Sequence, residues 1–166
     1  MAHVTFITGS ANDRPVIDPA IEILKRFGVS FEIHVASAHK DPERLAKIIH
    51  EAESAGTRIF IAAAGMAAHL AGMVAASTLR PVIGVPVSSG PLKGHDSLLS
   101  TVMMPPGVPV ATVAVDGGKN AAWLALEILA LLPDGGGILK ALEQERLSSR
   151  NSLLEAEKDW RKDVKP

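Results

Sequence analysis

A chain of 166 residues is long enough for one domain with a sizeable core and too short for two full ones. With 47% hydrophobic and 21% charged residues it reads as a folded soluble protein, and 17 basic against 18 acidic residues offer no bulk attraction to nucleic acid or to an anionic membrane. The lack of cysteine excludes disulfides, thiolate catalysis and Cys-ligated metal centres, and two tryptophans and four phenylalanines with no tyrosine are too few for base-stacking platforms.

The start, MAHVTFITGS, lacks the basic region and long apolar run of a secretory leader, so a strand is expected at once, His3 to Thr8, in a cytoplasmic protein. Gly9 to Asp13 reads as a turn. Asp18 with Pro19 is the better-formed start for the first helix, because Pro19 further inside would forfeit a backbone bond; Ala20, Ile21, Leu24 and Phe27 share a face and Gly28 ends it. Val29 to Ala36 is a second strand, whose alternation of Val29, Phe31, Ile33 and Val35 with polar residues places it near a sheet edge.

Asp41-Pro42 caps a second helix with the stripe Leu45, Ile48, Ile49 and Ala52, ended by Gly56. Arg58 to Ala64 is a third strand and Leu70 to Ser77 a helix. Val82 to Val87 is a fourth strand, Ser97 to Met103 a helix capped by Asp96, Val108 to Val115 a fifth strand, and Asn120 to Leu132 a helix.

Five strand-loop-helix units with near-continuous apolar strands predict an α/β fold: a three-layer sandwich with a parallel, flavodoxin/Rossmann-like sheet. Pro133 to Gly137 marks the edge of that domain, assigned to residues 1–134. Residues 135–166 form a C-terminal helical arm, which Ser148 to Ser152 are expected to interrupt. Its leucines are sparse, so it is expected to pack on the domain or on a neighbouring subunit. Apolar runs are broken by glycine, proline and histidine, and no membrane span is expected.

In an open parallel sheet, ligands sit beyond the carboxyl ends of the strands, where loops distant in sequence converge. Here those loops carry Ser10, Asn12 and Asp13, then Ser37, Ala38, His39 and Lys40, then Gly65, Met66, Ala67, Ala68, His69 and Leu70, and finally Ser88 and Ser89. Several could serve only as caps and turns. From Ala62 to Ala76 there are eight alanines and two glycines, which lets a ligand approach the backbone closely. G-x-G-x-x-G and the P-loop lysine pattern are both missing, which excludes the usual dinucleotide and triphosphate sites. His39, just after a strand and before a capped helix, is placed for proton transfer. No HExxH occurs and neither His39 nor His69 has an i,i+4 partner, so no metal is expected.

GSxxD at Gly9, SAHK at Ser37 and AAHLxGM at Ala67, together with VIGVPV at Val82, GHDSLLS at Gly94 and MPPGVPVATVAV at Met104, resemble the N5-carboxyaminoimidazole ribonucleotide mutase family of purine biosynthesis, related to the aminoimidazole ribonucleotide carboxylases. The resemblance spans Val4 to Leu132. It implies an isomerase that needs no cofactor and acts on a ribonucleotide monophosphate, as a homo-oligomer of eight subunits with composite sites. It further implies that Ser10, Asn12 and Asp13 hold the ribose phosphate part and that His39 transfers the proton. Lys40, where the mutase pattern has arginine, would contact phosphate, and the residues from Gly65 to Leu70 would make room for the flat ring. Besides a mild change at Asn12, which replaces a serine, three positions depart from the mutase pattern: Lys40, which matches carboxylases using free carbon dioxide, Met66 for a glycine, and Ala71 for a proline. They keep two alternatives in view, the carboxylase and a non-catalytic nucleotide-binding module.

Overall fold

The computed structural model describes residues 3–164. The elements are β1 (Val4–Thr8), a 3₁₀ turn (Ala11–Asp13), α1 (Arg14–Arg26), β2 (Phe31–Val35), α2 (Pro42–Ser54), β3 (Ile59–Gly65), α3 (Leu70–Ser77), β4 (Val82–Val87), α4 (His95–Val102), β5 (Ala111–Thr112), α5 (Gly118–Ala130) and α6 (Gly136–Asp163). All five strands are parallel, in the order β2-β1-β3-β4-β5. This is the flavodoxin-like α/β architecture expected. Contacts divide the chain into two compact units, residues 1–125 and 126–166, and the division falls within α5.

The sheet forms where both faces of a strand are apolar. Val4, Phe6 and Ile7 of β1 and Ile59, Phe60 and Ile61 of β3 are fully buried, and Thr5 is tolerated inside because its hydroxyl pairs with that of Thr57 at 2.7 Å. Ile7, Phe60, Ala62 and Val82 form one core with Leu45, Ile48 and Ile49 of α2 and Leu70, Ala71 and Val74 of α3. Alternation sends Val4, Phe6, Ile59 and Ile61 to the opposite face. The chain leaves β1 toward β2 on one side and returns to β3 on the other, so a crevice opens above the carboxyl ends of β1 and β3. Gly9 N–H donating to the Ala63 carbonyl at 3.0 Å holds its floor.

Several boundaries differ from those expected. α1 starts at Arg14 and carries Pro19 inside. A proline in a helix interior costs about 3 kcal/mol, whereas burying each of Ile17, Ile21 and Leu24 contributes about 2 kcal/mol, so the earlier start that buries Ile17 wins. β2 lies at the edge as expected, but Ile33 and Val35 are 49% and 42% exposed. β5 shrinks to two residues paired with Ile83 and Gly84, after which Val113 donates to the Gly84 carbonyl and the chain turns away.

Asp96 does not cap α4. Gly94, at φ 90°, occupies that position, Asp96 lies in the first turn, and one of its carboxylate oxygens is buried without a partner. In the second unit α6 runs unbroken through the serines expected to interrupt it. Ser152 returns its hydroxyl to the Ser148 carbonyl at 3.0 Å, which keeps the side chain inside the helical pattern. Leu139, Leu147, Leu153, Leu154 and Trp160 along α6 are exposed. Among the described residues no helix is long and apolar enough to cross a membrane.

Candidate active site

The loop after β1 folds on itself through a reciprocal pair of bonds. Ser10, in extended conformation, accepts the Asn12 N–H on its hydroxyl at 3.1 Å, while the Asp13 carboxylate accepts the Ser10 N–H at 3.0 Å. Asp13 also precedes α1 yet makes no side-chain cap there. Its carboxylate is instead buried beside the crevice, 6% exposed. Burial raises its pKa above the ordinary 3.8, an effect partly offset by the Ser10 N–H.

The sign of the consequence follows directly. A carboxyl whose folded pKa is raised is destabilising when ionised, and that penalty disappears once both folded and unfolded forms are neutral. Asp13→Asn, which keeps an acceptor for Ser10, is therefore expected to melt above the parent protein at neutral pH. The gap should close as pH falls through the raised pKa toward 3.8. Calorimetry across that range checks it, and a lower melting point for the variant at neutral pH would refute it.

The loop after β2 is a tight turn. Asp41 N–H donates to the Ser37 carbonyl at 3.0 Å, Lys40 N–H approaches the Ser37 hydroxyl at 3.4 Å, and Asp41 caps α2 by accepting Arg44 N–H at 3.0 Å, with Pro42 as first helical residue. The turn lifts His39 clear of the sheet. The loop after β3 supplies its partner. Met66 and Ala68 adopt left-handed conformations, φ 55° and 32°, and Ala68 N–H closes on the Gly65 carbonyl at 3.2 Å. His69 stands at the N-cap of α3 without capping it, so its ring is free to turn outward.

His39 Nε2 and His69 Nδ1 lie 2.6 Å apart, with rings edge-to-face at 4.8 Å. One hydrogen fits between those nitrogens, so one ring donates and the other accepts. The pair stands at the mouth of a cleft of about 420 Å³. Of the residues singled out in the sequence, Ser10, Asn12, Asp13, Ser37, Ala38, His39 and the whole of Gly65–Leu70 line it. Lys40 does not; it is exposed outside the lining.

Gly9, Ala64 and Ser89 complete the walls. Ser89 packs so closely on Gly65 that a Cβ there would fall on its hydroxyl. Its neighbour Ser88 gives its N–H to Asp116 at 2.8 Å and its hydroxyl to the same carboxylate. The sequence reading passed over Asp116. The available signal was an acidic residue next to Gly117-Gly118 at the carboxyl end of the fifth strand, the side where ligands gather.

On the other side of the histidine pair lies an apolar chamber of about 340 Å³, walled by Met73, Met103 and Met104. A larger open groove of about 1060 Å³, near Leu79, Arg80 and Gly107, sits at the amino ends of β4 and β5, away from these loops. Among the described residues no three of His, Asp or Glu converge as a metal would require.

What the geometry can do is hold a polar ligand between the Ser10–Asp13 turn and a floor of small residues, with an imidazole pair at its edge to move a proton. Comparison with known proteins agrees in kind. The family model described as AIR carboxylase matches residues 3–151. The chain is 55% identical over 131 residues to an N5-carboxyaminoimidazole ribonucleotide mutase of Pyrococcus abyssi, covering 79% of this chain and 75% of that protein. It is 47% identical over 152 residues to the mutase of Synechocystis sp., covering 92% and 85%. Among solved structures, the crystal structure of Treponema denticola PurE superposes with a TM-score of 0.85 at 28% identity, over 94% of this chain and 96% of that one.

Proposed function

The chain belongs to the AIR carboxylase family, and from that premise we propose how its cleft carries out the N5-carboxyaminoimidazole ribonucleotide mutase reaction. The reaction moves a carboxylate from the exocyclic amine to a carbon of the same imidazole ring, so the enzyme is an isomerase of purine biosynthesis. The observation that carries the assignment of roles is the His39–His69 contact at 2.6 Å on the edge of a cleft floored by small residues.

In this reading the ribose hydroxyls meet Asp13 and Ser10, while the phosphate takes the charge of Lys40, whose long side chain reaches in from beside the cleft. Asn12 supplies a further donor. Protonated His39 gives its proton to the exocyclic nitrogen as the N–C bond to the carboxylate breaks, releasing carbon dioxide in the pocket. The electron-rich ring carbon attacks that carbon dioxide, forming the C–C bond, and His39 takes the ring proton. One base serves both halves because the overall reaction neither gains nor loses a proton. Ser37, Ala38 and the Gly65–Leu70 wall keep the flat ring and the trapped gas in place, and no cofactor enters any step.

Incubating the purified chain with freshly generated N5-carboxyaminoimidazole ribonucleotide should give the C-carboxylated isomer at a rate indifferent to added bicarbonate. A parallel arm with aminoimidazole ribonucleotide and excess bicarbonate tests the carboxylase reading that Lys40 motivates; product in that arm alone would overturn the mutase assignment. Tight nucleotide binding with no turnover in either arm would favour the non-catalytic module.

The exposed leucines of α6, and exposed Met73 and Met103 beside the histidine pair, support a homo-oligomer of eight subunits in which residues 135–166 act as an arm on a neighbour. In the same proposal residues 1–134 are the α/β catalytic domain, in a cytoplasmic enzyme. A monomeric mass by light scattering at assay concentration would contradict this assembly.

A further inference from the structure

Asp116 takes no part in the reaction described above, yet its placement is costly. It is a non-glycine residue in the left-handed conformation, φ 56°, and its own N–H donates to the Pro86 carbonyl at 2.8 Å. Its carboxylate faces Ser88, the first residue after β4, accepting the backbone N–H on one oxygen at 2.8 Å and the hydroxyl on the other. Asp116 is exposed, and water would satisfy an exposed carboxylate equally well, so burial does not explain the double contact.

The segment it grips is tied at its two ends by the buried Ser97 hydroxyl, which lies 2.9 and 3.1 Å from the Val87 and Gly94 carbonyl oxygens, and little else fixes the path between them. Gly90, Lys93 and Gly94 are all left-handed, at φ 71°, 49° and 90°, and the backbone bonds within the segment are local turns, Lys93 to Gly90 and His95 to Leu92. The turn that holds Asp116 touches it a second time through Val115, whose side chain occupies the space a Cβ on Gly94 would need. Ser89, between these two anchors, lines the cleft and presses on Gly65.

We propose that Asp116 is a positioning residue for substrate binding: by holding the N–H and the hydroxyl of Ser88 together it orients the Ser88–Ser89 peptide, and so sets the Ser89 hydroxyl in the cleft wall against Gly65. This rests on the functional reading above, in which that wall receives the ribonucleotide. Asp116 acts on KM through Ser89 and has no contact with the reacting atoms, so kcat is left nearly unchanged.

The clean probes are Asp116→Gly, which removes the carboxylate at a backbone angle glycine accepts freely, and Asp116→Asn, which tolerates the same angle and keeps an acceptor for Ser88. Asp116→Gly should raise KM about tenfold with kcat within about twofold, and Asp116→Asn should recover KM to within about threefold of wild type. Ser89→Ala combined with Asp116→Gly should have a KM within about twofold of Ser89→Ala alone, because the aspartate has nothing left to position.

An unchanged KM in Asp116→Gly, a full additional factor in the double variant, or a loss confined to kcat would each overturn the proposal. Hydrogen exchange at the Ser89–Gly94 amides, which needs no turnover, should quicken in Asp116→Gly; unaltered exchange also overturns it. A wild-type chain inactive on the ribonucleotide would instead refute the functional reading, and the two failures are thereby told apart.

Discussion

His39→Asn is expected to lower kcat about 1000-fold, within the range that removing a general acid–base typically costs, while leaving the fold intact. His39 is exposed, and the ring contact and hydrogen bond described for it are both to His69, so stability should change by no more than about 0.5 kcal/mol. Substrate affinity, measured by isothermal titration with the product, should move by less than about threefold, since asparagine fills the same turn. His69→Asn is a graded companion. If His69 serves by accepting or supplying the hydrogen between the two rings, its loss should cost about tenfold in kcat, well short of the His39 effect. Wild-type turnover in a folded His39→Asn variant would remove His39 from the chemistry, and equal losses in both variants would shift the proton to the pair as a unit.

Gly65→Ala is expected to have the second largest effect, and it acts through shape. The new methyl would land on the Ser89 hydroxyl, with Ser89 Cβ at 3.0 Å and the Val87 carbonyl oxygen at 3.2 Å. Rotating the hydroxyl away relieves only the first of these clashes, so the loop after β4 must shift outward. Overpacking of this kind costs about 1–3 kcal/mol, and a displaced wall should weaken product binding about thirtyfold, as small misplacements at a binding site do. Thermal melting and titration of the same variant read both numbers. Ser89→Gly in the Gly65→Ala background removes the two Ser89 atoms but not the Val87 oxygen, and should restore most of the melting point but not the affinity, because the hydroxyl is gone. A Gly65→Ala protein with wild-type stability and affinity would show that the wall is more pliable than its packing indicates.

The two substitutions probe different kinds of information. His39 stood out in the sequence because of its setting: a histidine between an apolar strand and an Asp-Pro helix start has few purely structural uses. Gly65 was legible only as part of a run of small residues. That Gly65 is small because of Ser89, 24 positions further on, could not be read from its neighbours in the chain.

The same contrast runs through the fold. Strand and helix identities, the parallel sheet and the edge position of β2 follow from local patterns: continuous apolar runs, a 3.6-residue stripe, and glycine or proline at the ends. Boundaries failed where a tertiary term outweighed a local preference, as when burial of Ile17 drew α1 past Pro19, or when Gly94 took the cap expected of Asp96. In the site, the loops after β1 and β2 were found because their polar residues follow strands directly, and the loop after β3 because of its run of small residues. Lys40 was grouped with them by adjacency, yet the turn that raises His39 leaves Lys40 outside the cleft lining.

By itself, then, the sequence determined the layered α/β architecture, the end of the sheet where chemistry gathers and the residue types available there, because hydrophobic periodicity and turn composition act over a few residues. Only the tertiary structure decided which of those side chains meet. The 2.6 Å contact between His39 and His69, the wedge of Ser89 on Gly65 and the grip of Asp116 on Ser88 each join different strand ends. Their geometry depends on strand order and register, which arise from packing the whole sheet and are written in no single stretch of the chain.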